Sequence, residues 1–358
     1  MYDLIGVVRR NRLYAGLVVF IVFINVLSFL GERESKEKAG THAKVEIADE
    51  KTEKQSLFDP DEVKKREERI KELSRENPIF LLFLGLFNVT VIFFVFTGVI
   101  FDIYFLARFA RGKPVEIRTC APPEPRWNMA DVVRVALIFL SAGYLFAILQ
   151  VFVIRYFPIL RNENFRMIFD TTVMNVVGIG VMLYFVMRKY GQQVAAIGLT
   201  LRKAFHNMFY AMVAYISLVP VTLIIMIVTM IVIKWLKYEP PVQPIVQVFM
   251  EEKQGGVLFL STVFAAVFGP IAEEIFFRGF MYAAVKKSLG VFWGCVITAV
   301  VFSFLHAHVV GFLPIMALGI LLAYIYEKTG SLVSCISVHV IHNVAMVMVV
   351  FLMRHIGA

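Results

Sequence analysis

The chain has 358 residues, 59% of them hydrophobic and 18% charged, and its mean hydropathy of +0.74 points to a membrane solvent rather than to a soluble domain. Of 36 Lys/Arg and 27 Asp/Glu, residues 32–77 hold 12 and 14; the remainder holds 24 and 13, a net of +11 in short loops and at the ends of apolar runs. These basic residues form no stripe or long cluster, which argues against a nucleic-acid partner and for contact with anionic lipid.

Arg9, Arg10 and Arg12 precede or open the first apolar run, 13–30. It is too long for a typical signal-peptide core and ends in Asn-Val-Leu-Ser-Phe-Leu, a poor cleavage site, so it reads as an uncleaved anchor with its N-terminus in the cytoplasm. The polar stretch that follows predicts disorder over 32–58 and then a solvated helix. Asp59 is its N-cap, Pro60 its first residue, and Asp61/Lys65, Glu62/Arg66 and Glu67/Lys71 are acid-before-base pairs.

Uncharged runs at 79–101, 135–154, 171–187 and 207–233 meet or approach the ~20 residues that cross a bilayer core as a helix. Between the last two, Ala195 to Lys203 reads as an interfacial helix or a loop with a basic end. The run 255–285 is interrupted only by Glu273, Glu274 and Arg278. Residues 288–326 are too long for one span, and a break at Val309-Val310-Gly311 divides them. A last run covers 329–353. The expectation is an all-α polytopic bundle of nine spans, or eight as the fallback. Arg108 to Arg126, Arg188 to Lys203 and Lys286-Lys287 then fall inside, which predicts a plasma-membrane protein with its N-terminus cytoplasmic and its C-terminus outside. Residues 1–31 form an anchor, 32–77 a charged insert with a helix near 60–76, 78–190 accessory spans and 191–358 a core that carries the chemistry.

Cys120, Cys295 and Cys335 have no C-x-x-C spacing and imply neither a disulfide framework nor a cysteine-rich zinc site. The carboxylates are more informative. Outside 32–77 there are 13 acids, and only Glu273 and Glu274 lie in the middle of an apolar run, where each costs at least ~2.5–3.5 kcal/mol on insertion scales. Glu274 and Arg278, at i,i+4, share a helix face and can pair; Glu273 points about 100° away and is left facing something else. Taken alone, the cluster could simply lock two helices.

Four of the seven histidines lie in the late spans: His306, His308, His339 and His342. Phe302 and His306 are i,i+4, as are His339 and Asn343. Together these residues can hydrolyse an amide or ester: Glu273 takes a proton from water that His306 helps to hold, while His339 and the Asn343 amide donate to the oxyanion. His308 and His342 are weaker members, the first interfacial and the second a supporting donor. Ser303 lies on another helix face from His306, and no Ser or Cys qualifies as a nucleophile. A metal version uses Glu273, His306 and His339 as zinc ligands; the glutamate reading needs no cofactor.

Glu273-Glu-Ile-Phe-Phe-Arg278, Phe302-Ser-Phe-Leu-His306 and His339-Val-Ile-His-Asn343 resemble, in order and spacing, the three motifs of the CAAX protease and bacteriocin-processing (Abi) family. The resemblance covers roughly residues 195–350, including the Ile-Gly-Leu-Thr-Leu-Arg lead-in. It implies an intramembrane endopeptidase related to the type II CAAX prenyl endopeptidase, in which Glu273 and His306 activate water, His339 and Asn343 bind the oxyanion, and Glu274 and Arg278 hold the helix, with Phe302 supporting the site. Its partners would be membrane lipid and a peptide or protein substrate, lipidated or not. A catalytically silent scaffold on the same fold is the alternative. Prenyl transfer and transport fit less well, since the spans carry no Asp-rich cluster and no repeated halves.

Overall fold

The computed structural model describes residues 11–42, 60–113, 122, 124–238, 240 and 243–356, and among them there are helices and no strand. In chain order these are α1 (Arg12–His42), α2 (Pro60–Glu76), α3 (Pro78–Ala110), α4 (Met129–Val153), α5 (Glu163–Leu183), α6 (Ala204–Trp235), α7 (Pro244–Glu251), α8 (Gly255–Val263), α9 (Gly269–Glu274), α10 (Ala283–Leu305), α11 (Phe312–Thr329) and α12 (Leu332–Ile356). Three π-helical turns interrupt this series: Tyr184–Lys189 closes α5, Phe264–Phe268 joins α8 to α9, and Ile275–Tyr282 joins α9 to α10.

Seven helical stretches among the described residues are long and apolar enough to cross a membrane, and the chain is an integral, multi-pass membrane protein. Nine were expected, and two places bear on the count. The first expected span, 13–30, lies within α1, whose side chains are described only as far as Leu27, so it is not among the seven. Residues 255–305 run as one 51-residue helical stretch, which at ~1.5 Å per residue is far longer than a bilayer. It divides at Gly290, whose φ of 84° and ψ of 174° are not helical, close to where the sixth and seventh expected spans part.

One other expectation is corrected. α1 runs on to His42 instead of giving way to disorder at residue 32, because Glu, Arg and Lys there are good helix formers; residues 43–59 lie outside the described ones. The segment Ala195 to Lys203 takes the loop form of the two expected, and its basic end, Arg202 and Lys203, is exposed. A short 3-10 turn, Val194–Ile197, buries Ile197 fully, and Gly198 turns the chain at φ 81° so that its carbonyl accepts from the Leu332 N–H at 2.8 Å. A Cβ at Gly198 would lie 2.6 Å from the Tyr326 ring, so at this residue the chain passes where no side chain fits.

Local signals explain several helix starts. Asn77 accepts from the Ile79 and Phe80 N–H groups ahead of Pro78, Asn128 and Asp131 form a capping box, and Asn162 caps α5. α3 docks on α6 where Pro220 lacks the N–H that would pair with the Ile216 carbonyl. A Cβ on Gly98 would sit 2.4 Å from that carbonyl oxygen, so glycine is what lets α3 cover it.

One end of the bundle is tied together by polar contacts. Fully buried Asp131 accepts from Arg134 at 2.8 Å, from Lys189 at 2.5 Å and from the Tyr190 hydroxyl. Arg126 bonds Gln192 and the Tyr190 carbonyl, and Lys287 bonds the Pro125 carbonyl at 2.9 Å. The basic segments expected on one side of the membrane therefore meet at one end. Beneath them lies the core, in which Trp127 stacks on Phe280 at 5.4 Å and donates to its carbonyl at 2.9 Å.

Candidate active site

α9 and the π turn after it carry Glu273, Glu274 and Arg278; α10 ends on Phe302 and His306; α12 carries His339, His342 and Asn343. Helix spacing expects Glu274 to pair with Arg278, and Arg278 Nη1 donates to Glu274 Oε1 at 2.7 Å. Both side chains are buried, at 0% and 1% exposure, in surroundings where a lone charge would be prohibitive. Arg278 also donates to the Gly319 carbonyl at 3.2 Å, and its guanidinium lies 4.6 Å from the centre of the Phe302 ring. Phe302 also stands edge-on to His306 and His339, at 4.6 and 5.7 Å, so it forms the apolar wall of the site.

The same Glu274 oxygen faces His339 Nδ1 at 2.8 Å. A carboxylate already paired with a guanidinium accepts, so Nδ1 carries the hydrogen and Nε2 is turned toward Glu273, 3.7 Å from its Oε2. His306 is fixed in the same sense: Nδ1 donates to the Phe302 carbonyl at 2.7 Å, and Nε2 points at Glu273 Oε2 from 4.0 Å. Both imidazoles thus converge on one Glu273 oxygen, which has no hydrogen-bond partner of its own. Glu273 and His306 are each 32% exposed, whereas His339 is 3% exposed. Adjacent carboxylates therefore differ in kind. Glu274 is buried and committed to two donors; Glu273 is half-buried, and its buried Oε2 is uncommitted.

The remaining candidates fall around this centre. Asn343 is not aimed freely into the site, since its Nδ2 donates to the Ala265 carbonyl at 2.8 Å. His342 Nδ1 meets the Tyr215 hydroxyl at 3.2 Å, a supporting contact between α12 and α6. His308 sits in the turn after α10, where its Nδ1 accepts from the Gly311 N–H at 3.0 Å. Ser303 is buried and donates to the Phe312 carbonyl, away from Glu273. Among the described residues no group of three or more His, Cys, Asp and Glu side chains is arranged to hold a metal ion.

Two links escaped the sequence: His339 to Glu274 and Asn343 to Ala265. Spacing along a helix cannot reveal a contact between helices. The second nevertheless left a trace in Pro270, which withholds an N–H from that stretch of helix.

A multi-pass helical membrane protein with a carboxylate–histidine centre inside its bundle is the class that fold and site define. Residues 255–345 match the family model described as "Type II CAAX prenyl endopeptidase Rce1-like", and every residue of the three motifs lies within that match. The match covers the helices that carry the site, and residues 1–254 and 346–358 lie outside it. The chain is also similar to "Putative membrane peptidase YdiL" of Bacillus subtilis (strain 168), at 30% identity over 84 residues. That stretch is 24% of this chain and 34% of the relative, so the chain spans about a third of the length of the curated relative it matches. No solved structure matches the chain.

Proposed function

We propose that this protein is an intramembrane endopeptidase that hydrolyses peptide bonds with water activated by Glu273 and His306. The observation that carries the proposal is the convergence of two imidazole Nε2 atoms on Glu273 Oε2, a buried oxygen without a hydrogen-bond partner, at 3.7 and 4.0 Å. Those spacings are too long for direct hydrogen bonds and suit a bridging water. Glu273 Oε2 and His306 Nε2 both accept, so a water between them donates one hydrogen to each and presents its oxygen to a substrate carbonyl. Glu273 takes the proton as the oxygen attacks. His339, within reach of Glu273, receives that proton on Nε2 and becomes an imidazolium, which the Glu274 carboxylate at Nδ1 stabilises. It faces the developing oxyanion and then protonates the leaving amine, so that amide and water become acid and amine. Glu274 stands to His339 as a buried carboxylate stands to the general base of a hydrolytic triad.

The relative's name and the matched family both point to a peptidase, and the family's description points to prenylated C-terminal substrates; we extend both to this chain as proposals. The segments at the Asp131 end, rich in Lys and Arg, support placing that end, and the N-terminus, in the cytoplasm of a plasma-membrane protein.

The test is cleavage of prenylated and unprenylated C-terminal peptides in liposomes by wild type, Glu273→Ala, His306→Ala and His339→Ala, with folding checked by thermal unfolding. Cleavage by wild type that falls at least ~100-fold in each folded variant supports the site. Equal cleavage by all four refutes it. Wild-type protein that binds the peptides and cuts none of them favours the scaffold. Activity lost on chelation and restored by zinc would move the chemistry to a metal held by Glu273, His306 and His339.

A further inference from the structure

We propose that Asn343 is a positioning residue, whose amide clamps the helical turn on which Glu273 rests. The turn is Phe264–Phe268, wound as a π-helix, and the Gly269 N–H that follows it bonds to the Phe264 carbonyl, five residues back. The next carbonyl, Ala265, is left without a donor. In an α register its partner is the Gly269 N–H, which is already engaged; in a π register it is position 270, which is proline and has none. A backbone carbonyl without a partner inside a membrane bundle is strongly unfavourable. Asn343 Nδ2 donates to it at 2.8 Å, across from α12.

The same turn seats the carboxylate. Glu273 lies one helical turn beyond Gly269, and a Cβ on Gly269 would stand 3.9 Å from Glu273 Oε1 and 3.3 Å from the Phe264 carbonyl oxygen. Asn343 is likewise one turn beyond His339, whose Nε2 is 3.7 Å from Glu273 Oε2. α12 therefore grips the α8–α9 junction at two points, through His339 at the carboxylate and through Asn343 at the backbone beneath it. Losing the lower grip frees the π turn, and with it the spacing between Glu273 and both imidazoles.

The test is a double-mutant cycle of Asn343→Ala and Pro270→Ala, because alanine at 270 returns an N–H to the π register and gives the Ala265 carbonyl a donor of its own. Asn343→Ala is expected to lower Tm by a few degrees and turnover by about 100-fold at unchanged KM. Adding Pro270→Ala is expected to recover at least half of the Tm loss and about tenfold in turnover. An asparagine that serves only the oxyanion gives the opposite pattern: turnover falls by about 10²–10³, Tm holds, and Pro270→Ala rescues neither. That result overturns the proposal. The kinetic arm rests on the peptidase reading, whereas the Tm arm does not. If wild type cuts no peptide, coupled Tm shifts still uphold the clamp and additive ones overturn it. Should Asn343→Ala not fold, the isosteric Asn343→Asp replaces it in the same cycle.

Discussion

Replacing Glu274 by glutamine keeps the shape of the side chain and removes its charge, at a position where one oxygen accepts from Arg278 at 2.7 Å and from His339 at 2.8 Å. The glutamine carbonyl can still accept and no cavity opens, so the loss is electrostatic. Arg278, 1% exposed, is left with the Gly319 carbonyl and the Phe302 face, neither of which carries a full negative charge. Breaking a buried pair by removing one partner costs about 3–5 kcal/mol. At about 2–4 °C per kcal/mol, that is a fall in Tm on the order of 10 °C. The measurement is thermal unfolding in detergent at one scan rate, beside peptide turnover. Turnover should fall by at least ~100-fold, since an imidazolium at His339 loses its counter-charge. Glu274→Gln combined with Arg278→Met removes both charges, and should lie well above the sum of the single losses in Tm. A Glu274→Gln protein that melts within about 2 °C of wild type and keeps its turnover would refute the argument that this carboxylate is needed as an anion.

Ser303→Ala should retain turnover within a few-fold, because the hydroxyl serves the Phe312 carbonyl and not a reacting group; inactivation as complete as that of Glu273→Ala would point to a serine mechanism. Glu252, between α7 and α8, accepts from the Asn164 amide at 2.8 Å and the Gln254 N–H at 2.7 Å, and these bonds hold its carboxyl below the ordinary value of 4.5. A depressed carboxylate pKa stabilises the fold above the unfolded value, and that contribution is lost as pH falls through the folded one. The Tm difference between wild type and Glu252→Gln should therefore be widest near neutral pH and should close below pH about 4.5. A gap constant over that range contradicts the assignment.

The parts of the site that could be read from the sequence are those where a polar residue interrupts an apolar run. Glu273, Glu274, Arg278, His306, His339 and Asn343 stand out because each is costly at bilayer depth. The i,i+4 rule gives the Glu274–Arg278 pair because both residues ride on one helix. It cannot give the His339–Glu274 bond, since that depends on how α12 leans against α9. Asn343 was harder still, because its partner is a backbone carbonyl and any residue at 265 would supply one. The span count shows the same limit. Hydropathy marks where lipid is tolerated, but not whether a helix turns at Gly290 or runs through it, and Gly198 reads as a loop glycine until Tyr326 is packed against it.

The seam between Gly98 and the Ile216 carbonyl bears on how the chain can be assembled and cut. Pro220 leaves that carbonyl without its usual donor, and in hydrocarbon no water can stand in. That oxygen on α6 is shielded from lipid by the close packing of Gly98 on α3, made earlier in the chain. A fragment beginning at residue 191 would retain every residue of the three motifs and still present this bare oxygen to lipid. The N-terminal helices therefore behave as a chaperone built into the chain for the helices that follow, and expression of the isolated C-terminal half should be rescued by supplying residues 78–190 as a separate polypeptide.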